Sequence, residues 1–263
     1  MTVTTLILFI LTGCIAGFLN VMAGGGSLIA MPVMIMTGMD PTIANGSNRV
    51  AILVQNISAT AGFFKKGFSD FKLSLSLALC TLPGAIAGAY FGTIVPDVWF
   101  KRILAAIMIA ILLLMVRGKR SVSAPLTTET PSSGRLLAAH LLMIAAGVYG
   151  GFIQAGVGFV FIAILHNVLR LDLVRVNMHK VFIIGVYTIV ALAVFAFSGA
   201  VDWLAGGSLA IGNAAGGWVG AHVAVRKGEK WIRIILYVAL VALAINLLVP
   251  RSFFSDMISR LFS

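Results

Sequence analysis

The sequence predicts an all-α polytopic membrane protein, and three features of the chain support this fold class. Of the 263 residues, 60% are hydrophobic and 10% are charged, and the mean hydropathy is +1.07. Apolar runs of about 20 residues recur, long enough to cross about 30 Å of hydrocarbon as helices, and they lack the alternation of a transmembrane barrel. The basic residues lie between or at the ends of these runs. The net charge of +11 therefore indicates membrane orientation rather than nucleic acid binding.

The apolar runs predict eight long helices and two short arms. The first run is interpreted as a retained helix rather than a signal peptide, because no basic segment precedes it. The long helices are predicted at residues 3–22, 44–64, 71–95, 100–117, 136–154, 177–197, 203–225 and 231–249. The arms follow glycine clusters, at 28–38 and 159–169. Such an arm is about 16 Å long as a helix, which is too short to span the bilayer.

The distribution of Lys and Arg predicts which loops face the cytoplasm. Of the 19 Lys and Arg, 14 fall on one side of the predicted topology and 5 on the other. The positive-inside rule assigns the richer side to the cytoplasm. That side includes the Ser-, Thr- and Pro-rich linker 118–135, which divides the chain into a first repeat, 1–117, and a second repeat, 136–263.

The two halves resemble each other when the sequence is aligned on itself at one constant offset, the one that places Gly24 on Gly156. The same offset matches the pairs Asn45 and Asn177, Asp70 and Asp202, and Trp99 and Trp231. The loop with Lys65 and Lys66 is basic, whereas its equivalent near Gly199 has no Lys or Arg. Equivalent loops are therefore expected on opposite sides of the membrane. The prediction is two inverted repeats, each a glycine-broken helical hairpin plus three transmembrane helices, with a site near the midplane where the repeats meet.

The two glycine breaks, at residues 20–27 and 154–158, are the leading candidates for function. The short arms place both breaks inside the membrane, where unpaired backbone is tolerated only against protein or a water-filled cavity. Free N–H groups and the helix dipole at the start of each arm suit an anion, and glycine lets a ligand approach the backbone. Ser27 is expected to cap its arm or to donate to a ligand. The alternative is close helix packing, which we expect for the glycine pairs 13 and 17, 84 and 88, and 216 and 220.

Several polar residues within the predicted helices have competing interpretations. Arg49 and Lys180 lie near helix starts, where they either serve a functional site or extend to the membrane interface. Gln55, Asn56 and Asn213 lie deeper and are expected to form hydrogen bonds between helices. All eight acidic residues fall at loops or helix ends, so no carboxylate proton relay is predicted. Asp70 and Asp202 are expected to be helix N-caps.

Two stretches of the chain together resemble a known family. Residues 23–27 (AGGGS), followed by residues 45–49 (NGSNR), resemble the sulfite exporter TauE/SafE family of membrane transporters. Residues 156–158 (GVG), followed by residues 177–180 (NMHK), are similar to the second repeat of that family. The resemblance covers nearly the whole chain. It implies transport of sulfur-containing anions or small organic acids, such as sulfite, sulfoacetate or related sulfonates, often as export. Val157 stands where the first break has Gly25, so the two breaks need not contribute equally.

From these observations we expect a secondary transporter of the bacterial inner membrane that exports small anions by alternating access. The linker and the basic loops of the C-terminal half would be cytoplasmic, and the partners would be the anionic substrate and the lipid bilayer. A homo-oligomer is compatible with the sequence, and no enzyme activity, catalytic residue, metal or cofactor is expected. The predicted substrate-binding residues are Asn20, Gly24, Gly25, Gly26, Ser27, Asn48, Arg49, Gln154, Gly156, Gly158, Asn177 and Lys180.

Three alternatives remain open from the sequence. The first is a passive anion channel that uses the same site, and the second is uptake of a sulfur oxyanion. The third is a membrane enzyme or assembly factor that uses His179 with Cys14 or Cys80, although the chain has no recognisable catalytic or metal-binding motif.

Overall fold

The structure, a computed structural model, describes residues 1–68, 70–117 and 132–248. Within these ranges the chain forms nine α-helices and no β-strand. They are α1 (Val3–Met22), α2 (Ser27–Met36), α3 (Pro41–Lys65), α4 (Phe71–Ile94), α5 (Asp97–Arg117), α6 (Ser133–Phe152), α7 (Val157–Ala163), α8 (Leu173–Phe197) and α9 (Trp203–Leu248). A π-helix, Ile164–Val168, continues α7. Most of the predicted linker and the residues after 248 lie outside the described part of the chain.

The predicted helices and arms are present, with ends that differ by a few residues. α3 begins earlier than predicted because Pro41 occupies its first turn, where proline needs no hydrogen-bond acceptor. α8 begins earlier because Asp172 caps it, accepting hydrogen bonds from the N–H groups of Val174 and Arg175 at 3.0 Å. The helices predicted at 203–225 and 231–249 are joined as α9, which is interrupted by non-helical backbone at Gly228 (φ 69°, ψ −166°).

The two predicted aspartate N-caps are confirmed. The side chain of Asp70 accepts a hydrogen bond from the N–H of Leu73 at 3.3 Å. That of Asp202 accepts hydrogen bonds from the N–H groups of Leu204 and Ala205 at 3.0 Å. Each aspartate therefore fixes the start of its helix.

The outer helices present apolar side chains to their surroundings. Among the described residues, α1, α4, α6 and α8 are long and apolar enough to cross a membrane, judged by length and composition. Leu11 and Ile15 on α1, and Leu75 and Leu79 on α4, are largely exposed. Lipid solvates such surfaces, whereas water does not. The chain therefore has the surface of an integral membrane protein.

Glycines set the closest helix contacts. α1 packs along α9, and α4 packs along α6. A Cβ atom added at Gly13 would lie 2.3 Å from the carbonyl oxygen of Leu209, and one at Gly84 would lie 2.2 Å from that of Ile144. A Cβ atom at Gly216 would lie 2.1 Å from the carbonyl oxygen of Cys14. The packing role predicted for these glycine pairs is confirmed, because any side chain would push the helices apart.

The second half repeats the backbone of the first. α3 and α8 begin and end at positions that the sequence alignment of the two halves matches, and so do the starts of α4 and α9. Backbone with positive φ recurs at matched positions too, in the pairs Gly24 (85°) and Gly156 (75°), Gly38 (93°) and Arg170 (57°), and Gly67 (78°) and Gly199 (68°). The two halves thus share their turns as well as their order of helices.

The equivalent helices α3 and α8 lie together at the centre and run in opposite directions. The N–H of Asp202, just after α8, donates to the hydroxyl of Ser47 near the start of α3 at 2.8 Å. At the other end, Gly67 and Phe68 follow α3 and share a cavity with Arg175 near the start of α8. α9 packs on α1 and α3, and α4 packs on α6 and α8. The packing therefore forms two three-helix bundles, each with helices from both halves of the chain.

Candidate functional site

The two glycine breaks are in backbone contact. A Cβ atom added at Gly158 would lie 2.3 Å from the Cα atom of Gly24, and one at Gly24 would lie 2.5 Å from the carbonyl carbon of Gly158. Both residues are buried. Gly24 and Gly156 also have positive φ, which favours glycine at these turns. The chain therefore needs glycine here both for its turns and for the contact between the halves.

The start of α2 differs in one detail from the sequence prediction. Gly26 occupies the N-cap position, and the Ser27 side chain makes no cap. Instead, the Ser27 hydroxyl accepts a hydrogen bond from Nδ2 of Asn48 at 3.0 Å. The prediction that Ser27 caps the arm is wrong, because the hydroxyl is engaged with α3. The first hydrogen bond of the arm runs from the Leu28 N–H to the Gly25 carbonyl, so the N–H groups of residues 25–27 have no helical acceptor.

Lys180 reaches from α8 to the broken end of α1. Its ammonium group donates to the carbonyl oxygens of Asn20 at 3.1 Å and Val21 at 2.8 Å, and to Oδ1 of Asn177 at 2.7 Å. The side chain is 1% exposed. A cation at the C-terminal end of a helix opposes the partial negative charge of the free carbonyl groups. Lys180 therefore holds the first break and does not extend to the membrane interface.

Arg49 reaches from α3 to the broken end of α6. Its Nη1 donates to the carbonyl oxygen of Gly150 at 3.0 Å and to Oε1 of Gln154 at 3.3 Å. Its Nη2 donates to the carbonyl oxygens of Gly151 and Phe152. The side chain is 0% exposed. The alternative in which Arg49 and Lys180 extend to the interface is therefore wrong for both residues.

Each of the two buried cations contacts the opposite half of the chain, and neither has an acidic partner among the described residues. Each half supplies the cation that holds the broken helix of the other half. In the described part of the chain the one salt bridge joins Arg175 and Asp172 at 3.4 Å, so neither buried cation is paired with a carboxylate. A helix end carries about half a negative charge. Two cations at two such ends leave about one net positive charge in the interior, where uncompensated charge is costly.

A second polar network surrounds the Arg49 end. Oε1 of Gln154 also accepts a hydrogen bond from the hydroxyl of Tyr187 at 3.2 Å. Asn45 donates through Nδ2 to the carbonyl oxygen of Phe152 at 2.9 Å. Sequence analysis does not identify Tyr187, because a single tyrosine in an apolar helix gives no polar pattern. The sequence signal for this region is the matched pair Asn45 and Asn177, which lie at equivalent positions near the starts of α3 and α8.

The deeper amides divide into two groups. Gln55 accepts through Oε1 from Nδ2 of Asn20 at 2.9 Å, which confirms the predicted hydrogen bond between helices. Asn56 and Asn213 instead donate to carbonyl oxygens four residues earlier in their own helices, at 2.8 and 3.2 Å. The prediction of interhelical bonds is wrong for these two residues, since a carbonyl of the same helix accepts from each amide nitrogen.

Two polar cavities lie at opposite ends of α3. One, of about 400 Å³, is lined by Gly67, Phe68, Asp70, Leu171, Arg175, Met178 and His179. The other, of about 480 Å³, is lined by residues before and at the start of α3 (37–40 and 43), by residues 1, 2 and 5, and by Asp202. α3 has 25 residues and is about 37 Å long, whereas α2 has 10 residues and is about 15 Å long. Because α2 joins the second cavity to the first break, the break lies about halfway along α3.

Within the described residues, His179 makes no hydrogen bond to Cys14 or Cys80, the pairing that a membrane enzyme or assembly factor would use. Nδ1 of His179 is 2.7 Å from the hydroxyl oxygen of Ser74. Cys14 lines an apolar groove with Ile15 and Phe18 on the outside of α1. The structure therefore brings His179 to a serine rather than to a cysteine.

A helical membrane protein with buried cations at two contacting glycine breaks, beside two equivalent helices that run in opposite directions, has features expected of a membrane transporter. The profile of the family described as Sulfite exporter TauE/SafE matches residues 9–247. The chain belongs to this family, which confirms the resemblance inferred from the glycine motifs.

Several relatives match along most of their length. A Sinorhizobium protein named probable membrane transporter protein ORF9 is 32% identical over 235 residues, which cover 89% of this chain and 88% of the relative. Probable membrane transporter protein YfcA of Escherichia coli K12 is 26% identical over 240 residues, with coverages of 89% and 86%. Probable membrane transporter protein YjnA of Bacillus subtilis is 22% identical over 251 residues, with coverages of 90% and 95%. No solved structure matches the chain.

Proposed function

We propose that the protein is a secondary transporter that exports small sulfur-containing or organic anions, such as sulfite, sulfoacetate or other sulfonates. The observation that carries this proposal is the pair of buried cations, Arg49 and Lys180, beside the contact between the two glycine breaks. Neither cation has a carboxylate partner within the described structure. A bound anion would supply the missing negative charge, whereas a cationic substrate would be repelled.

The transport mechanism we propose is alternating access between two inverted repeats, residues 1–117 and 136–263, joined by the linker 118–135. The constant offset between matched helices and the opposite directions of α3 and α8 support this arrangement. Each repeat would contain four full spans and one short arm. A polar cavity at each end of α3, with closed backbone contact between them, fits an occluded state of such a cycle. Relative movement of the two three-helix bundles would open one cavity to the site at a time.

The proposed direction, export, is supported by the charge of the loops and by the membrane potential. The cavity with Arg175 lies at the end of α3 that carries Lys65 and Lys66. By the positive-inside rule this cavity would open toward the cytoplasmic side of a bacterial inner membrane. An inside-negative potential favours outward movement of an anion by about 2.3 kcal/mol per charge per 100 mV. Export therefore requires no membrane carboxylate as a proton site, and the proposed cycle involves no cofactor or catalytic step.

Purified protein in liposomes loaded with sulfite or sulfoacetate tests the proposal. We expect saturable efflux above that of protein-free liposomes, stimulated by unlabelled substrate on the opposite side. Absence of movement for sulfite and for every sulfonate tried would refute the substrate assignment. Unsaturable conductance without counterflow would identify the passive channel. Accumulation against an opposing potential would identify uptake.

A further inference from the structure

We propose that the oxygens of the anion are bound on the Lys180 side of the breaks, by the free amide groups of Asn177 and Gln55 beside the positive charge of Lys180. Arg49 then serves as a structural clamp. This inference rests on the proposed function and deepens it, because it assigns binding to one side of the site and adds Gln55 as a specificity-determining residue.

Two buried amide nitrogens on the Lys180 side have no hydrogen-bond partner among the residues that the structure describes. Asn177 is 1% exposed and Gln55 is 0% exposed. Nδ2 of Asn177 and Nε2 of Gln55 donate no hydrogen bond within the described part of the chain. A buried donor without a partner loses the hydrogen bond that water would give it, so such groups are uncommon in native structures. Two of them in one cluster indicate that a ligand completes the hydrogen bonding.

The contact with Lys180 determines which amide atom of Asn177 has no hydrogen-bond partner. The Lys180 ammonium can only donate, so the atom it contacts at 2.7 Å must be the amide oxygen of Asn177. The amide nitrogen is therefore the end without a partner. At Gln55 the oxygen is occupied by Nδ2 of Asn20 at 2.9 Å, which leaves the nitrogen as the free end there as well.

The four residues form one connected group, which we call the Asn20 cluster: Asn20, Gln55, Asn177 and Lys180. The Asn20 side chain bonds Gln55, and the Asn20 carbonyl bonds Lys180, which in turn bonds Asn177. The cluster thus joins α1, α3 and α8 at the first break. It offers two free amide N–H₂ groups and one positive charge, and it contains no carboxylate. Donors of this kind match the oxygens of a sulfite, sulfonate or carboxylate group.

Arg49 has a different environment. Both Nη atoms donate to oxygens at the end of α6, and only Nε is without a partner among the described residues. Its Cζ atom also lies 4.5 Å from the centre of the Phe195 ring. The Arg49 side therefore keeps one free donor, Nε, whereas the Asn20 cluster keeps the amide nitrogens of both Asn177 and Gln55. The contacts of Arg49 instead hold the broken end of α6 in place.

The Asn20 cluster predicts selectivity as well as binding. An anion with two or more oxygens can accept from both amide nitrogens next to the charge of Lys180, whereas chloride offers no separate oxygen atoms to the amide pair. In wild-type proteoliposomes, excess sulfoacetate should inhibit sulfite efflux at least tenfold more effectively than equimolar chloride. Equal inhibition by chloride would overturn the inference without any variant protein.

Two substitutions test the assigned residues directly. Asn177→Asp replaces the free amide by a carboxylate of the same shape, and Gln55→Met removes the amide while keeping the length of the side chain. Each should raise the KM for sulfite at least tenfold. Asn213→Leu is the matched control, since its unpaired buried atom is an oxygen rather than a donor, and it should leave KM within about twofold. Thermal unfolding in detergent identifies the variants that fold.

The outcomes separate this inference from the proposed function. If wild-type protein moves no oxyanion, the proposed function fails. If wild-type protein transports sulfite and either folded variant keeps the KM of Asn213→Leu, binding by the Asn20 cluster is refuted while the transport function stands. If Arg49→Gln raises KM tenfold with unchanged thermal stability, Arg49 is a binding residue and the assignment to one side is wrong.

Discussion

The contact between the two breaks makes Gly158→Ala the most direct perturbation of the site. The new methyl group would lie 2.3 Å from the Cα atom and 2.5 Å from the carbonyl oxygen of Gly24. Gly158 does not have positive φ, so alanine adopts its backbone conformation without strain and the effect is steric. Since the neighbour is backbone, it cannot rotate away, and the two breaks must separate by about 1 Å to reach ordinary contact distance. Overpacking of this kind costs about 1–3 kcal/mol.

We expect Gly158→Ala to lower the rate of sulfite efflux from proteoliposomes at least tenfold, equivalent to about 1.4 kcal/mol on the transport barrier. The closed contact can no longer form as in the wild type, and the carbonyl ends held by Arg49 and Lys180 move with it. Efflux is measured per reconstituted protein, and thermal unfolding in detergent is measured in parallel.

Gly207→Ala is the matched control, because a Cβ atom at this helical glycine of α9 meets no atom within 4 Å. It should transport normally and gain up to about 1 kcal/mol of stability from helix propensity. If Gly158→Ala transports as fast as Gly207→Ala, close contact between the breaks is not needed for transport, and the steric reasoning is wrong.

Three further substitutions test the surrounding elements. Lys180→Met leaves the carbonyl group of Val21 without its donor and removes the positive charge, so sulfite efflux should fall more than tenfold at unchanged protein content. Arg49→Gln removes most of the hydrogen bonds at the end of α6, and it should destabilise the protein by about 1–3 kcal/mol, because buried carbonyl oxygens lose their donors, measured by denaturant unfolding. Arg170 has a φ of 57°, and Arg170→Gly should raise stability by up to about 1 kcal/mol because glycine accepts this conformation. A lower unfolding midpoint for Arg170→Gly would contradict that expectation.

The helices and the breaks could be predicted from the sequence because their signals are local. Apolar runs mark the long helices and the two short arms. Asp70 and Asp202 mark helix starts because each accepts a hydrogen bond from a backbone N–H close to it in sequence. The depth of the breaks follows from the length of the arms alone. These predictions need no knowledge of how one helix is rotated against another.

The partners of the cations could not be predicted in this way. The acceptors of Arg49 are backbone carbonyls about 100 residues away, and those of Lys180 are about 160 residues away. Backbone carbonyls have no sequence signature, and which of them face a given side chain depends on the rotation and crossing of packed helices. For the same reason Gln55 is recognisable in the sequence as a polar residue within an apolar helix, whereas the missing partner of its nitrogen depends on the packing.

The packing also indicates which parts move together. The bundle of α1, α3 and α9 and the bundle of α4, α6 and α8 each combine helices from both repeats. Lys180 and Arg49 both cross from one bundle to the other, as does the contact between Gly24 and Gly158. A hydrogen bond is lost beyond about 3.5 Å, so sliding the bundles by about 1 Å or more must exchange these bonds. We therefore expect the moving units to be the two bundles rather than the two sequence repeats.

Cross-linking distinguishes these two possibilities. Cys14 and Ala215→Cys would both line one groove between α1 and α9, within one bundle but across the two repeats, and a short flexible thiol cross-linker between them should leave transport intact. Ile57→Cys and Val186→Cys would both line the apolar cavity between α3 and α8. This pair is introduced into a protein in which Cys14 and Cys80 are replaced. Cross-linking it with the same reagent should stop transport. If the cross-link between α1 and α9 also stops transport, the sequence repeats are the moving units, because that pair joins one repeat to the other.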